Sequence, residues 1–239
     1  MGHNGCVNQK YALSAAAALV ADPARAAILV ALLDGGELTA GELARAASIS
    51  PQCASLHLSK LVQGGMLVVQ PRGRHRHYRM ASRQVGFALE ALGAVATRAR
   101  SAAGLRTGQD AALCFARTCY DHLAGQLGVE LAAALEREGV LIPDGERNYA
   151  LAAGGLASLA RWGLDVGQLR SGRRAWARKC LDWTERRPHV GGALGAGLLT
   201  GLFERGWLRR RRDTRAVRVT DRGLRGFTEL GLSPQLPSR

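Results

Sequence analysis

The stretch that most restricts how this chain can fold runs from Ser48 to Met80, "SISPQCASLHLSKLVQGGMLVVQPRGRHRHYRM". Ser50 followed by Pro51 is a helix start, since a serine side chain can accept from a free N-terminal amide and proline tolerates the first helical position. Ala54, Leu58 and Leu61 then recur at helical spacing, while Gln52, Ser55, Ser59 and Lys60 remain polar. Two glycines end the helix. Next come two short β-prone runs, "MLVVQ" and "RHYRM", joined by "PRGRH", whose proline and glycine favour a turn, so the runs pair as a hairpin. Six consecutive residues, Arg72 to His77, hold three arginines and two histidines. A basic hairpin directly after an amphipathic helix is the outline of a winged helix.

The residues before it supply the rest of such a unit. "LSAAAALVADPARAAILVALLDGG" reads as two helices meeting near Asp22, with Pro23 at a first helical position and Gly35-Gly36 ending the second. "LTAGELARAASIS" opens with a Thr39-x-x-Glu42 capping box, and the short helix it starts turns into the one beginning at Pro51, a helix-turn-helix arrangement. Residues 83–106 form a further helix with Val85, Leu89, Leu92 and Val95 on one stripe, suited to pairing with a second copy.

Charge narrows the partners. Against 33 Lys plus Arg stand 19 Asp plus Glu, a net charge of +14, which favours a polyanion. The apolar runs are too short to span a bilayer, so the expected partner is double-stranded DNA rather than a membrane. In that reading Ser50, Gln52, Ser55, His57, Ser59 and Lys60 face a groove or its rim, and Arg72, Arg74, His75 and Arg76 lie along phosphates. The bland alternative is an arginine-rich turn that only solubilises the surface, with His57 packed or capping.

At these residues, over about 12–82, the chain resembles the ArsR/SmtB type of winged-helix repressor. The resemblance implies a homodimeric transcriptional regulator released from its operator by a metal ion or another signal. Two departures accompany it: "LTAGELARAAS" has no cysteine where metal-sensing members often carry a Cys-x-Cys pair, and the helix after the hairpin offers only Glu90 as a ligand. Sensing is therefore expected in an additional half, residues 107–232, between a linker helix (83–106) and a short tail (233–239), with residues 1–10 a flexible N-terminus.

That half repeats the helix-plus-hairpin pattern. "LVQGGMLVVQPRGRHRHYRM" aligns without gaps on "LFERGWLRRRRDTRAVRVT", setting Gly65 against Gly206, and "LEREGVLIPDGERNYAL" has the same order of helix end, glycine, strand, turn and strand. "AAGGLASLARWGL" matches "TDRGLRGFTELGL". The expected class is mainly α with small β-hairpins, a winged helix followed by a domain of winged-helix-like units.

Two strings in this half carry possible chemistry. In "CFARTCYDHLAG" a helical reading puts Cys119 and His122 on one face, with Asp121 adjacent and Cys114 turned away; in "RKCLDWTERRPHVGG" Cys180, Asp182, Glu185 and His189 fall in an irregular segment. Similar strings occur in long ArsR-like regulators. Brought together, Cys119, His122, Cys180 and His189 suit zinc or another borderline-soft ion. Three other readings stand beside this one: a thiolate at Cys119 or Cys180 activated by Arg117, Arg178 or Lys179; an organic effector among Tyr120, Asp121, Trp162, Trp176, Trp183, Glu185, Arg186 and Arg187; or plain buried thiols with ion-paired aspartates. No phosphate loop, nucleophile elbow or catalytic carboxylate pair is present, so no catalysis is expected. The run "RRRRD" at 209–213 is a second DNA contact or a solvated edge. The N-terminus lacks an apolar secretory stretch, which predicts a cytoplasmic chain with its five cysteines reduced. The competing class is a sequence-tolerant architectural DNA- or RNA-binding protein without an effector.

Overall fold

A computed structural model describes residues 9–33, 35–102, 108–161, 169, 174–211 and 214–232. It divides into two compact units at Leu89/Glu90, inside a helix. No single helix among the described residues is long and apolar enough to cross a membrane.

The N-terminal unit is built on α1 (Gln9–Val20), α2 (Pro23–Ala31), β1 (Leu38–Thr39), α3 (Ala40–Ala46), α4 (Pro51–Gln63), β2 (Leu67–Arg72), β3 (His75–Met80) and the start of α5 (Arg83–Ala102). Each expected helix start is capped as its sequence demands. Asp22 accepts from the Arg25 amide at 2.9 Å, Thr39 and Glu42 close a reciprocal capping box, and Ser50 accepts from the Cys53 amide at 3.2 Å. The hairpin is longer than expected: β2 and β3 pair from Leu67↔Met80 to Arg72↔His75, leaving only Gly73 and Arg74 in the turn. Gly73 has φ +59°, a conformation a side chain would strain. A third strand not foreseen in the sequence, β1, pairs with β3 at Leu38↔Tyr78 and Thr39↔His77, so the sheet order is β1-β3-β2. Ile28, Leu29, Leu43, Leu58, Leu61, Leu67 and Met80 form the core beneath it.

The C-terminal unit contains α6 (Gly108–Phe115), β4 (Arg117–Cys119), β5 (His122–Ala124), α7 (Gln126–Arg137), β6 (Leu141–Asp144), β7 (Asn148–Leu151), α8 (Gly155–Arg161), β8 (Arg178–Leu181), β9 (Pro188–Gly191), α9 (Gly192–Glu204), β10 (Leu208–Arg210), β11 (Val217–Val219) and α10 (Asp221–Glu229). The expected repeat recurs down to single hydrogen bonds. The amides of Met66, Val140 and Trp207 donate to Leu61, Leu135 and Leu202, and their carbonyls accept from Ala81, Ala152 and Thr220. Gly65, Gly139 and Gly206 each take positive φ just before this residue.

The duplication also extends upstream of these units, where only the three-dimensional arrangement makes it plain. β4–β5 leads into α7 as β8–β9 leads into α9, with "RTCYDHLAGQLG" matching "RKCLDWTERRPHVGGALG" except for a longer second turn. The halves share one core, where Leu123, Leu127, Leu131, Val190, Leu194 and Leu198 pack together. A Cβ at Gly128 would lie 2.6 Å from the Leu123 carbonyl oxygen, and one at Gly195 would run into the equivalent oxygen of Val190. Each helix therefore packs directly on the backbone of its own hairpin.

Candidate functional site

On α4 burial follows the helical period. Ala54, Leu58 and Leu61 are inside, and Gln52, Ser55, Leu56, Ser59 and Lys60 are exposed along the opposite face. Leu56, 68% exposed, belongs to that face although hydrophobic patterning alone gave no reason to single it out. Ser50 is occupied as the helix cap, and Ser59 Oγ accepts from Gln63 Nε2 at 3.2 Å. His57 corrects an expectation: its ring is turned inward, Nδ1 lying 3.6 Å from Asp22 Oδ1, so it ties α4 to the start of α2. At position 57 the helical period falls one residue before buried Leu58 and between the two faces, and a nearby carboxylate settles the direction.

In the hairpin, Arg74, His75 and Arg76 are exposed. Arg72 is exposed too but pairs with Glu37 at 2.9 Å, and Arg79 reaches the same carboxylate at 3.7 Å, which fixes the base of the hairpin and leaves its tip projecting. In the "RRRRD" run, Arg209 and Arg210 are exposed on β10, with the Arg210 guanidinium over Phe203 at 4.9 Å; residues 212 and 213 lie outside the described residues.

In the C-terminal unit the two Cys/His strings meet. The ligating atoms of Cys119, His122, Cys180 and His189 all lie within 4.8 Å of one another. Their local structure differs from both expectations. Cys119 and His122 are not on a helix: α6 stops at Phe115, and the two residues are directly opposed across the β4–β5 hairpin. Helical i,i+3 neighbours and partners across a two-residue turn have the same sequence separation, so spacing could not distinguish them. Tyr120 in that turn has φ +59°, without the glycine or asparagine that usually signals it. Likewise the supposedly irregular segment is a hairpin, with Cys180 opposite His189. Each half thus offers one Cys-His pair from facing strand positions, and the imidazoles stand 5.0 Å apart. Cys114 remains on α6, outside the set. Cys6 and Trp162 lie outside the described residues.

The surrounding residues hold these four in place. His122 Nδ1 meets Asp121 Oδ1 at 3.2 Å, and His189 Nδ1 lies 3.3 Å from Asp182 Oδ2. Both aspartates stand two residues after their cysteine, a Cys-x-Asp signal present twice in the sequence and overlooked in reading it. Asp121 is held by Arg174, with Nη1 at 2.9 Å. Asp182, fully buried, accepts both oxygens' worth of bonds from Arg117 Nη2 (3.0 and 2.9 Å), from the Gly125 amide (2.7 Å), and from the Thr184 and Glu185 amides (2.8 and 3.1 Å). Arg117 is equally buried, and its guanidinium lies 4.2 Å from the centre of the Trp183 ring. Asp121 and Trp183, considered above as effector contacts, are engaged around the cluster, Glu185 contributes its amide to Asp182, and Arg186 sits in the β8–β9 turn with φ +57°.

Electrostatics at the cluster follow from this packing. Burial alone would lower the pKa of His122, but Asp121 and Cys180 raise it to about 8. The thiols lie 3.9 Å apart and share protons unequally: Cys119 is pushed up by its hydrogen bond to Cys180 and by burial, whereas Cys180 is pushed down by the bond from Cys119 and by the two imidazoles. Burial pushes the Asp182 carboxyl up, but His189, Arg117, Thr184 and Gly125 outweigh it and hold it well below the usual range. Two thiols that share protons unequally and two imidazoles facing carboxylates form the donor set.

Comparison with known proteins agrees with the N-terminal geometry. A family described as "Helix-turn-helix domain" matches residues 20–70. The Bacillus subtilis (strain 168) protein YdfF, described as an uncharacterized HTH-type transcriptional regulator, is 42% identical over 209 residues, spanning 87% of this chain and 92% of that protein. Among solved structures, HlyU from Vibrio cholerae N16961 is 27% identical over 36% of this chain and 92% of its own, with TM-score 0.34. The winged helix-turn-helix domain of Mb0332 from Mycobacterium bovis, described as homodimeric, is 22% identical over 41% of this chain and 89% of its own, with TM-score 0.35. With capped α3 and α4, a projecting basic hairpin and a relative that matches across both units, the chain belongs to the family of HTH-type transcriptional regulators.

Proposed function

We propose that the protein is a dimeric, ArsR-type repressor acting inside the cell, whose C-terminal unit receives the signal that releases it from an operator. The observation that carries this reading is the face of α4: Gln52, Ser55, Leu56, Ser59 and Lys60 are exposed together on a helix narrow enough for a major groove about 12 Å wide. Gln52 and Ser55 offer hydrogen bonds to base edges, Leu56 an apolar contact for a thymine methyl, and Lys60 a phosphate contact. Arg74 and Arg76 at the hairpin tip supply charge along the backbone. His57 and Arg72 are assigned to holding the unit together, through Asp22 and Glu37. Leu92 and Val95, 53% and 68% exposed on α5, support pairing with a second copy through that helix.

Fluorescence anisotropy with the chain's own promoter fragment and a random duplex, at one fixed salt concentration, tests the reading. A gap of about 4 kcal/mol or more in favour of the promoter is expected; equal affinities would instead select the architectural alternative. Arg74→Ala should weaken binding to both duplexes alike and lower the slope of log K against log salt by about one. An unchanged slope would remove the hairpin from the interface. Gln52→Ala should leave binding to random duplex intact while narrowing the gap by about 1 kcal/mol, read from the same two titrations.

A further inference from the structure

We propose that Cys119, His122, Cys180 and His189 bind one divalent ion of the zinc class in a closed tetrahedral site, with two Sγ atoms and two imidazole Nε2 atoms as ligands. The site lies within the C-terminal unit and does not depend on the reading of α4. It also differs in place from any site on the helices of the N-terminal unit.

Geometry is the first support. For two thiolates at about 2.3 Å from a tetrahedral centre, the sulfurs stand about 3.8 Å apart. Cys119 and Cys180 Sγ are separated by 3.9 Å with both imidazoles alongside, so a single ion fits with little rearrangement. A disulfide would require the sulfurs to close to about 2.0 Å. It would also use up both thiols and leave the histidines unexplained.

The second support is orientation. Histidines that ligate metals commonly point their other ring nitrogen at a carboxylate, which fixes the tautomer and strengthens the ligand. Here His122 Nδ1 is hydrogen-bonded to Asp121, His189 Nδ1 faces Asp182 Oδ2 at 3.3 Å without hydrogen-bond geometry, and both carboxylates are themselves held by arginines. With Nδ1 thus directed, Nε2 is the atom left for the cluster. His189 is 1% exposed, and neither of its ring nitrogens makes a hydrogen bond among the described residues, Nε2 being the one turned away from Asp182. A buried imidazole nitrogen without a partner costs free energy, and an ion at the centre of the cluster removes that cost.

The third support is the architecture around the ligands. Both pairs project from cross-strand positions of short hairpins, and α7 and α9 press on those hairpins through Gly128 and Gly195, neighbours of His189 Cβ and His122 Cβ respectively. Such a frame fixes all four donors before the ion arrives. Four protein ligands leave no open coordination position, so the ion ties the two halves together and does not activate water. Binding displaces the protons held on the two thiols and on the ligating imidazole nitrogens, which leave to solvent.

The test uses the full chain, purified without chelator. Elemental analysis should find about one zinc ion per chain, retained in Cys114→Ser and lost in Cys119→Ser and His189→Ala. Chelator-stripped, reduced wild-type protein titrated with Co2+ should take up one equivalent and develop thiolate-to-cobalt charge-transfer absorption. Because that titration uses unaltered protein, it decides the matter even where a variant folds poorly. Asp121→Asn should keep the same stoichiometry while weakening Co2+ affinity about 10–100-fold. Full metal content in the Cys119 and His189 variants, or a stripped and reduced wild-type chain that takes up no Co2+, would overturn the proposal. None of these readouts involves DNA, so failure of the operator titrations leaves the metal result standing, and the reverse.

Discussion

Asp182→Ala is expected to destabilise the C-terminal unit by about 3–5 kcal/mol, the usual cost of deleting one member of a buried ion pair. The reason is what it leaves behind. Arg117 is 0% exposed, and Asp182 supplies its only carboxylate partner among the described residues. Its remaining bonds, to the Leu113 carbonyl at 3.0 Å and Thr184 Oγ1 at 3.3 Å, do not neutralise it. The amides of Gly125, Thr184 and Glu185 lose their acceptor at the same time. Urea denaturation followed by tryptophan fluorescence reads the change directly, since Trp183 stacks on the guanidinium. A loss below about 1 kcal/mol would mean that solvent reaches Arg117. Arg117→Met in the Asp182→Ala background should recover much of the loss, because an apolar side chain needs no counter-charge.

Gly195→Ala should cost about 3 kcal/mol, at the upper end of overpacking penalties. The added methyl meets the Val190 carbonyl oxygen, which is backbone and cannot rotate away, and lies 3.0 Å from His122 Cβ. α9 must then lift from its hairpin. Cys180 and His189 sit on that hairpin and His122 on the opposite one, so the substitution should also widen the separation between the ligand pairs. Thermal denaturation gives the stability change, and Co2+ affinity of the same protein reports the geometry. Gly154→Ala is the matched comparison for conformational strain alone: Gly154 has positive φ but no heavy atom near its added methyl, so a loss of about 1 kcal/mol is expected there without any change in cobalt affinity.

The N-terminal unit was readable because its local signals agree with one another. Asp22-Pro23, Thr39-x-x-Glu42 and Ser50-Pro51 each satisfy free amides at a helix start, and the periodic apolar residues that follow each cap are the ones buried. β1 escaped notice because a two-residue strand has no period; its pairing with β3 is a tertiary fact. In the C-terminal unit the four Cys and His residues come together, though from local structure other than that expected. A three-residue separation satisfies a helix and a tight hairpin equally, and Tyr120 adopts its left-handed conformation without a glycine to announce it. β8 and β9 hold four residues each, and the turn between them has no glycine; its signal is Asp182, which accepts from the Thr184 and Glu185 amides and reads in sequence only as a ligand or ion-pair candidate. The Cys-x-Asp repeat and the sixty-seven-residue offset linking His122 to His189, Gly125 to Gly192 and Gly128 to Gly195 were legible throughout. They were hidden by the six extra residues in the second turn, which interrupt an ungapped comparison.

Because the paired hairpins belong to two copies of one motif, neither copy holds a complete donor set. A fragment ending after α8 would carry one sulfur and one imidazole of the four, Cys119 and His122, and could regain the full complement only by finding its like in another molecule. What two separate subunits would have to achieve by diffusion and docking, this chain secures by a tether, at a local concentration that dilution cannot lower.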